Sequence, residues 1–82
     1  MDVILSKKAK RQYDHLPVIE QKKVKKKLQS LEIEPLAGKK LSGELADDRS
    51  LRAWPYRIIY SINKDANQVE ISAILHRQGV YK

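Results

Sequence analysis

Five side chains in the last third of the chain are suited to phosphate chemistry. Arg52 and Arg57 flank the Trp-Pro pair of "LRAWPYRIIYSI", and His76, Arg77 and Tyr81 lie in "ILHRQGVYK". Guanidinium groups bind phosphate oxygens through paired hydrogen bonds and stabilise charge that develops in a transition state. An imidazole titrates near neutral pH, and a phenol ring stacks on an unstacked base. The sequence contains no carboxylate cluster and no His/Cys spacing typical of a metal site, so it predicts metal-independent chemistry on a phosphodiester.

A β-hairpin is predicted to position these groups. Residues 56–62 and 68–76 are rich in Ile, Val and Tyr, and the five residues "NKDAN" between them are a turn signal. If these five residues form the loop, Ile62 lies opposite Gln68, and Arg57 and Arg77 project from the same face. The two arginines would then be about four strand positions, roughly 13 Å, apart. A register shift of one residue would place them on opposite faces.

Two amphipathic helices are predicted before the hairpin. The short apolar run "DVIL" ends at Ser6, a suitable N-cap for a helix over residues 7–16. Pro17 interrupts this pattern and can open a second helix over about residues 18–31. The residues expected on the buried faces are Ala9, Tyr13, Leu16, Val24, Leu28 and Leu31. This order predicts one α+β domain, residues 1–82, with a helical hairpin packed on a small, largely antiparallel twisted sheet.

The composition indicates a basic protein of the cytoplasm. Seventeen Lys and Arg against ten Asp and Glu give a net charge of +7, which favours a polyanionic partner such as nucleic acid or the ribosome. A merely soluble basic surface is the alternative. The absence of Cys fits a reducing compartment. No apolar run approaches the roughly 18 residues of a membrane span, so no membrane association is expected.

The order and spacing of these motifs resemble those of the RelE/ParE toxin superfamily of bacterial and archaeal toxin–antitoxin modules. The segments that carry the resemblance are "SKKAKRQYDHLP", "PLAGKKLSGEL", "RSLRAWPYRIIYSINKD" and "VEISAILHRQGVYK", and together they cover essentially the whole chain. The resemblance implies a β-α-α-β-β-β fold and an antitoxin protein as partner. For the RelE branch it implies cleavage of mRNA on the ribosome without a cofactor, by attack of a ribose 2′-hydroxyl on the adjacent phosphate.

The same resemblance assigns roles to individual residues. Arg57 matches the strand arginine that stabilises the phosphate, and Arg77 matches the arginine near the leaving group. Tyr81 matches the C-terminal tyrosine that stacks on the substrate base and assists proton transfer. Some RelE toxins carry two lysines on the preceding strand, where this chain has Asp48 and Ser50.

Other residues are therefore expected to supply charge and proton transfer. Arg49 and Arg52 are candidates for binding RNA, but Arg stays protonated and is not an ordinary general base. His76 is consequently the acid–base candidate. The lysine-rich "KKVKKK" region is interpreted either as a contact to ribosomal RNA or as the solvated side of the second helix. The lysines proposed for the RNA contact are Lys22, Lys23 and Lys26.

Two alternative functions stay open on the sequence alone. The first is a ParE-like inhibitor of DNA gyrase, which the Asp48 and Ser50 departure favours. The second is an inactive member that only binds its antitoxin. In each case we expect an acidic or apolar helix of the antitoxin across the basic sheet or the helical hairpin. Trp54 is open between stacking on a ligand and a half-buried structural role beside Pro55.

Overall fold

The computed structural model describes residues 1–41 and 48–77, which form an α+β fold. The elements are β1 Asp2–Leu5, α1 Lys7–Asp14, α2 Val18–Ile33, β2 Lys39–Lys40, β3 Asp48–Ala53, β4 Tyr56–Asn63 and β5 Gln68–His76. The strands form one sheet in the order β1-β5-β4-β3-β2. Among the described strands, β1 and β5 run parallel, and the other three pairings are antiparallel. The predicted fold class is confirmed, and the two-residue β2 makes the sheet five-stranded.

Prolines and a serine set the helix boundaries. The Ser6 hydroxyl accepts a hydrogen bond from the Ala9 N–H at 3.0 Å, which confirms the predicted N-cap. α1 ends two residues earlier than predicted and α2 two residues later. Pro17 and Pro35 disfavour helical conformation in the residues before them, so both boundaries fall just upstream of a proline. Within the described residues, neither helix is long and apolar enough to cross a membrane.

The hydrophobic core lies between the two helices and one face of the sheet. Four of the six predicted residues, Ala9, Val24, Leu28 and Leu31, are buried, whereas Tyr13 and Leu16 are partly buried against the core and Leu16 lies beyond the end of α1. β4 contributes the fully buried Ile58 and Tyr60. The buried members of this cluster are Ala9, Val24, Leu28, Leu31, Ala53, Ile58, Tyr60, Val69, Ile71 and Ile74. We call this side of the sheet the helix-covered face and the opposite side the far face.

The predicted register of the β4–β5 hairpin is wrong by one residue at the turn. Asn63 pairs with Gln68, so the turn contains four residues rather than five. The Asn63 side-chain oxygen accepts a hydrogen bond from the Ala66 N–H at 3.1 Å, and Asn67 adopts a φ of 55° that asparagine tolerates well. Asn63 therefore ends the strand and also closes the turn through its side chain.

A β-bulge at Ser72 shifts the register again. Tyr60 pairs with Ile71 but Ile59 pairs with Ala73, which leaves Ser72 as the extra residue of β5. The Ser72 hydroxyl donates to the Ile59 carbonyl at 3.1 Å, while its own carbonyl accepts from the Ser6 hydroxyl at 3.2 Å. Beyond the bulge, the side chains of β5 alternate in the opposite phase.

The outer edge of β5 changes partner at the same point. β1 pairs with β5 only as far as Ile71. The N–H of Ile74, beyond that point, donates at 2.7 Å to the side-chain oxygen of Gln12 on α1. The edge strand β1 and then α1 therefore satisfy successive backbone groups of β5.

Candidate functional site

The tight turn between β3 and β4 places two arginines side by side. Ala53 pairs with Tyr56, so Trp54 and Pro55 alone form the turn, and the peptide bond between them is cis. One position further along, Arg52 pairs with Arg57. Because Tyr56 and Ala53 belong to the helix-covered face, the strand alternation directs Arg52 and Arg57 to the far face.

Arg77 reaches the same turn from the end of β5. Its backbone N–H donates to the Pro55 carbonyl at 2.7 Å. Its guanidinium carbon lies 5.0 Å from the ring centroid of Trp54, and that of Arg52 lies 5.8 Å from the same centroid. Both distances fall in the range of cation–π contacts. We call Arg52, Trp54, Arg57 and Arg77 the arginine–tryptophan cluster.

Arg57 and Arg77 share a face, but not through the predicted register. Arg57 lies opposite Leu75 rather than Ala73, because the one-residue error at the turn and the bulge at Ser72 add together. The two one-residue shifts together change the register by two residues, so Arg77 stays on the face that the predicted register gave it. Arg77 is therefore only about two strand positions, roughly 7 Å, beyond the residue that faces Arg57, closer than the predicted separation.

His76 lies apart from the cluster. It pairs with Tyr56, and the two rings meet edge to face at 5.2 Å between centroids with an interplanar angle of 84°. Tyr56 packs against the core, so this pair belongs to the helix-covered face. The neighbouring pair, Arg57 and Leu75, belongs to the far face. The structure therefore does not bring the predicted acid–base residue to the predicted phosphate ligands.

Arg49 also lies on the helix-covered face. It pairs with Tyr60, and its guanidinium donates to the carbonyl of Gly38 at 3.0 Å and to that of Leu36 at 3.5 Å. These contacts fix the segment between α2 and β2. Of the two arginines expected to replace the family lysines, only Arg52 lies in the cluster. Asp48 and Ser50 share the far face with Arg52.

The phenol of Tyr60 holds the same segment from inside the core. Its oxygen accepts from the Gly38 N–H and donates to the Pro35 carbonyl, each at 2.8 Å. Burial raises the pKa of this phenol, and the Gly38 N–H and the charge of Arg49 oppose the shift. A Cβ on Gly38 would overlap the Tyr60 ring. Tyr60 is thus a structural residue.

The lysines proposed to contact RNA lie on the other side of the molecule. Lys22, Lys23 and Lys26 are exposed on α2, away from the buried stripe of that helix. Lys23 lies 3.5 Å from the carboxylate of Glu20. These side chains form a surface separate from the arginine–tryptophan cluster, with the sheet between them. Tyr81 lies outside the described residues.

Two residues around the site were not singled out by the sequence. Gln12 satisfies the backbone of β5 just before His76 and Arg77, and no local motif marks a glutamine for such a role. Ser72 creates the bulge, and here a signal exists. In the core cluster, Val69 and Ile71 are two apart, whereas the next member, Ile74, follows after three. A break of this kind in a period of two indicates an inserted residue.

Comparison with known families and structures gives a consistent result. The family model described as "ParE toxin of type II toxin-antitoxin system, parDE" matches residues 3–81. A chain of the toxin–antitoxin complex RelBE2 from Mycobacterium tuberculosis is 33% identical, with a TM-score of 0.84 over 93% of this chain and 96% of that chain. No curated protein matches the sequence.

Two further solved structures share the fold. A chain of the archaeal RelE–RelB complex from Pyrococcus horikoshii OT3 is 25% identical, with a TM-score of 0.77 over 93% of each chain. The YoeB/ParE toxin from Agrobacterium tumefaciens is 17% identical, with a TM-score of 0.81 over 93% of this chain and 98% of that chain. At 17% identity the likeness concerns the fold alone.

Proposed function

Because this chain belongs to the ParE toxin family of type II toxin–antitoxin systems, within the RelE/ParE superfamily, we propose that it is a toxin that cleaves mRNA on the ribosome. The observation that supports this activity is the arginine–tryptophan cluster. Arg52, Arg57 and Arg77 meet at one turn, beside an indole ring that is 53% exposed. Guanidiniums suit phosphate oxygens, and an exposed aromatic ring suits single-stranded nucleic acid.

The proposed reaction is an attack within the RNA strand. A ribose 2′-hydroxyl loses its proton as its oxygen forms a bond to the adjacent phosphorus, and the 5′-oxygen takes up a proton as its bond to phosphorus breaks. The products are a cyclic phosphate and a 5′-hydroxyl. In this scheme Arg57 neutralises the non-bridging oxygens and Arg77 lies near the leaving oxygen, where positive charge stabilises the transition state. Tyr81 keeps the role that the resemblance implies: stacking on the substrate base and assisting proton transfer.

Proton transfer is not assigned to His76 in this proposal. Its ring lies against Tyr56 on the helix-covered face, whereas the phosphate ligands are on the far face. A general base must reach the proton that it removes. The proposal therefore predicts that His76→Ala keeps activity, in contrast to Arg57→Ala and Arg77→Ala.

The lysine surface of α2 supplies the proposed ribosomal contact. Lys22, Lys23 and Lys26 point away from the sheet, so they can bind ribosomal RNA while the cluster on the far face holds mRNA. Phosphate contacts of this kind weaken steeply with added salt. The proposed activity should accordingly fall as ionic strength rises, even for a message that is already on the ribosome.

The partner in the resting cell is proposed to be a cognate antitoxin. Two of the similar structures are toxin–antitoxin or RelE–RelB complexes. With a net charge of +7, this chain would associate rapidly with an acidic partner segment. We propose that the antitoxin covers the basic surface and thereby blocks access to the arginine–tryptophan cluster.

The test is to map mRNA 5′ ends in a translating extract that contains the purified protein. We expect clustered cuts inside codons of translated messages and almost none in naked RNA. Arg57→Ala and Arg77→Ala should abolish the cuts. Arg11→Ala is the matched control, because it removes one exposed positive charge on α1. Intact messages with the wild-type protein, or normal cutting by both variants, would contradict the proposal.

A second candidate function is inhibition of DNA gyrase. The match to the ParE family model favours it, and so does the separation of His76 from the arginines, because gyrase binding requires no acid–base residue. Accumulation of gyrase–DNA cleavage complexes with intact mRNA would establish this function in place of the first. Expression without growth arrest would instead indicate a member that only binds its antitoxin.

A further inference from the structure

We propose that Trp54 is a positioning residue that holds Arg52 and Arg77 as a two-armed clamp for the backbone phosphates of single-stranded nucleic acid. This inference rests on the proposed function, since it specifies how the arginine–tryptophan cluster binds its substrate. The ring is the element common to two arginines that arrive from different strands. Arg52 belongs to β3, and Arg77 follows the end of β5.

The distances define the clamp. The guanidinium carbons of Arg52 and Arg77 lie 5.8 Å and 5.0 Å from the centroid of Trp54. The two groups are consequently no more than about 11 Å apart, the sum of these distances. Groups at such a separation can bind one phosphate together or two consecutive phosphates separately.

The contact with the ring leaves the binding capacity of the guanidiniums intact. A cation–π contact uses the charge and the flat face of the group, whereas anions are bound by N–H bonds in its plane. The guanidiniums of Arg52 and Arg77 make no hydrogen bond or ion pair with any residue in 1–41 or 48–77. The ring therefore restricts both side chains while their donors stay available, which lowers the entropy lost on binding.

The position of Trp54 argues against a mainly structural role. Its side chain is 53% exposed and is not part of the core cluster. Its indole N–H has no acceptor among the described residues, so it can add a further donor beside the clamp. A tryptophan at the tip of a two-residue turn gains little from burial there, and its contacts are to the two arginines.

The chain of the turn fixes the clamp in place. The Pro55 carbonyl accepts the Arg77 N–H at 2.7 Å, and Arg52 is paired across the hairpin with Arg57. The backbones on both sides of the ring are thus held by the sheet, and only the side chains need the ring to restrict them. This is why Trp54, rather than a backbone contact, is assigned the positioning role.

The experiment is a double-mutant cycle on binding. The probe is a fluorescent, uncleavable single-stranded 2′-O-methyl RNA of about ten nucleotides, and fluorescence anisotropy gives the Kd at several salt concentrations. We expect Trp54→Leu to weaken binding about three- to tenfold and Trp54→Phe to lie between it and the wild type, because Phe makes a weaker cation–π contact. In an Arg52→Ala/Arg77→Ala background, Trp54→Leu should change the Kd by less than about twofold.

Each other outcome overturns the clamp. An equal effect of Trp54→Leu in both backgrounds would mean that the ring acts through its own contact with a base. No effect in either background, or no binding by the wild-type protein, would remove the role entirely. Thermal unfolding checks that the variants fold. If Trp54→Leu does not fold, Trp54→Phe still tests the clamp. The proposed function is judged separately, by mRNA cleavage in extract: a protein that shows the predicted cycle but cuts no message contradicts that function and leaves the clamp standing.

Discussion

Replacing Tyr60 with Phe removes one oxygen from the best-defined polar contact inside the core. The phenol oxygen accepts the Gly38 N–H and donates to the Pro35 carbonyl, both at 2.8 Å. Phe fills nearly the same space, so the change creates almost no cavity. The Gly38 N–H, however, lies in a buried site and would lose its acceptor. The Pro35 carbonyl loses its donor as well, so the substitution measures the cost of leaving the buried donor and this acceptor unpaired.

The expected loss of stability is large for a chain of this size. A buried donor left without a partner costs about 1–3 kcal/mol. A domain of 82 residues has a free energy of unfolding of roughly 4–12 kcal/mol in total. Since each kcal/mol shifts Tm by about 4–8 °C in a domain this small, the midpoint should fall by roughly 4–24 °C. The Arg49 contact to the Gly38 carbonyl remains, so the segment should loosen without detaching.

Urea unfolding at neutral pH measures the difference directly. Tyr13→Phe is the matched control, because Tyr13 also packs against the core but its hydroxyl has no hydrogen-bond partner among the described residues. That variant should differ from the wild type by less than about 0.5 kcal/mol. If Tyr60→Phe is no less stable than Tyr13→Phe, the segment between α2 and β2 does not depend on the phenol, and the assigned role is wrong.

Three further predictions concern Tyr60, Gln12 and His76. Burial raises the pKa of Tyr60, so the folded state favours the protonated phenol. The amount by which the free energy of unfolding of the wild type exceeds that of Tyr60→Phe should therefore be complete below pH ~10 and shrink as the pH rises above it, which urea unfolding at pH 9 to 11 would measure. Gln12→Leu should lower the free energy of unfolding by about 1–3 kcal/mol, because the Ile74 N–H loses its acceptor; hydrogen exchange should become faster at Ile74, and unchanged exchange there would contradict this. His76→Ala should leave toxicity in a growth assay within about threefold of the wild type, since the ring lies on the helix-covered face; a loss comparable to that of Arg77→Ala would return His76 to the site.

The elements of this fold could be predicted because local signals mark them. Ser6 caps α1, the prolines bound both helices, and spacings of three and four identify the buried residues of α1 and α2. Alternation in β4 likewise separates Tyr60 and Ile58 from Arg57. These features depend on neighbours within a few positions of the chain, which is the range that a single sequence reports well.

The register depends on contacts that the sequence does not state. Whether Asn63 belongs to the turn or to the strand is decided by its side-chain bond to Ala66 and by the left-handed conformation of Asn67. The role of Gln12 depends on where β1 stops pairing with β5, which is set by the packing of α1. Both are long-range or side-chain effects that composition and period leave undetermined.

The bulge links these local irregularities to the site. With the observed turn but without the bulge, each side chain of β5 beyond position 72 would lie on the opposite face of the sheet. Arg77 would then lie on the helix-covered face, together with Tyr60. One extra residue at Ser72 reverses that phase, and Ser6, which caps α1, also holds the Ser72 carbonyl. The side of the sheet on which Arg77 meets Trp54 is thus determined at a serine five residues upstream. Deletion of Ser72 should accordingly affect the arginine–tryptophan cluster more than its distance from the cluster suggests, because it changes which face the arginine occupies and not merely how tightly it is held.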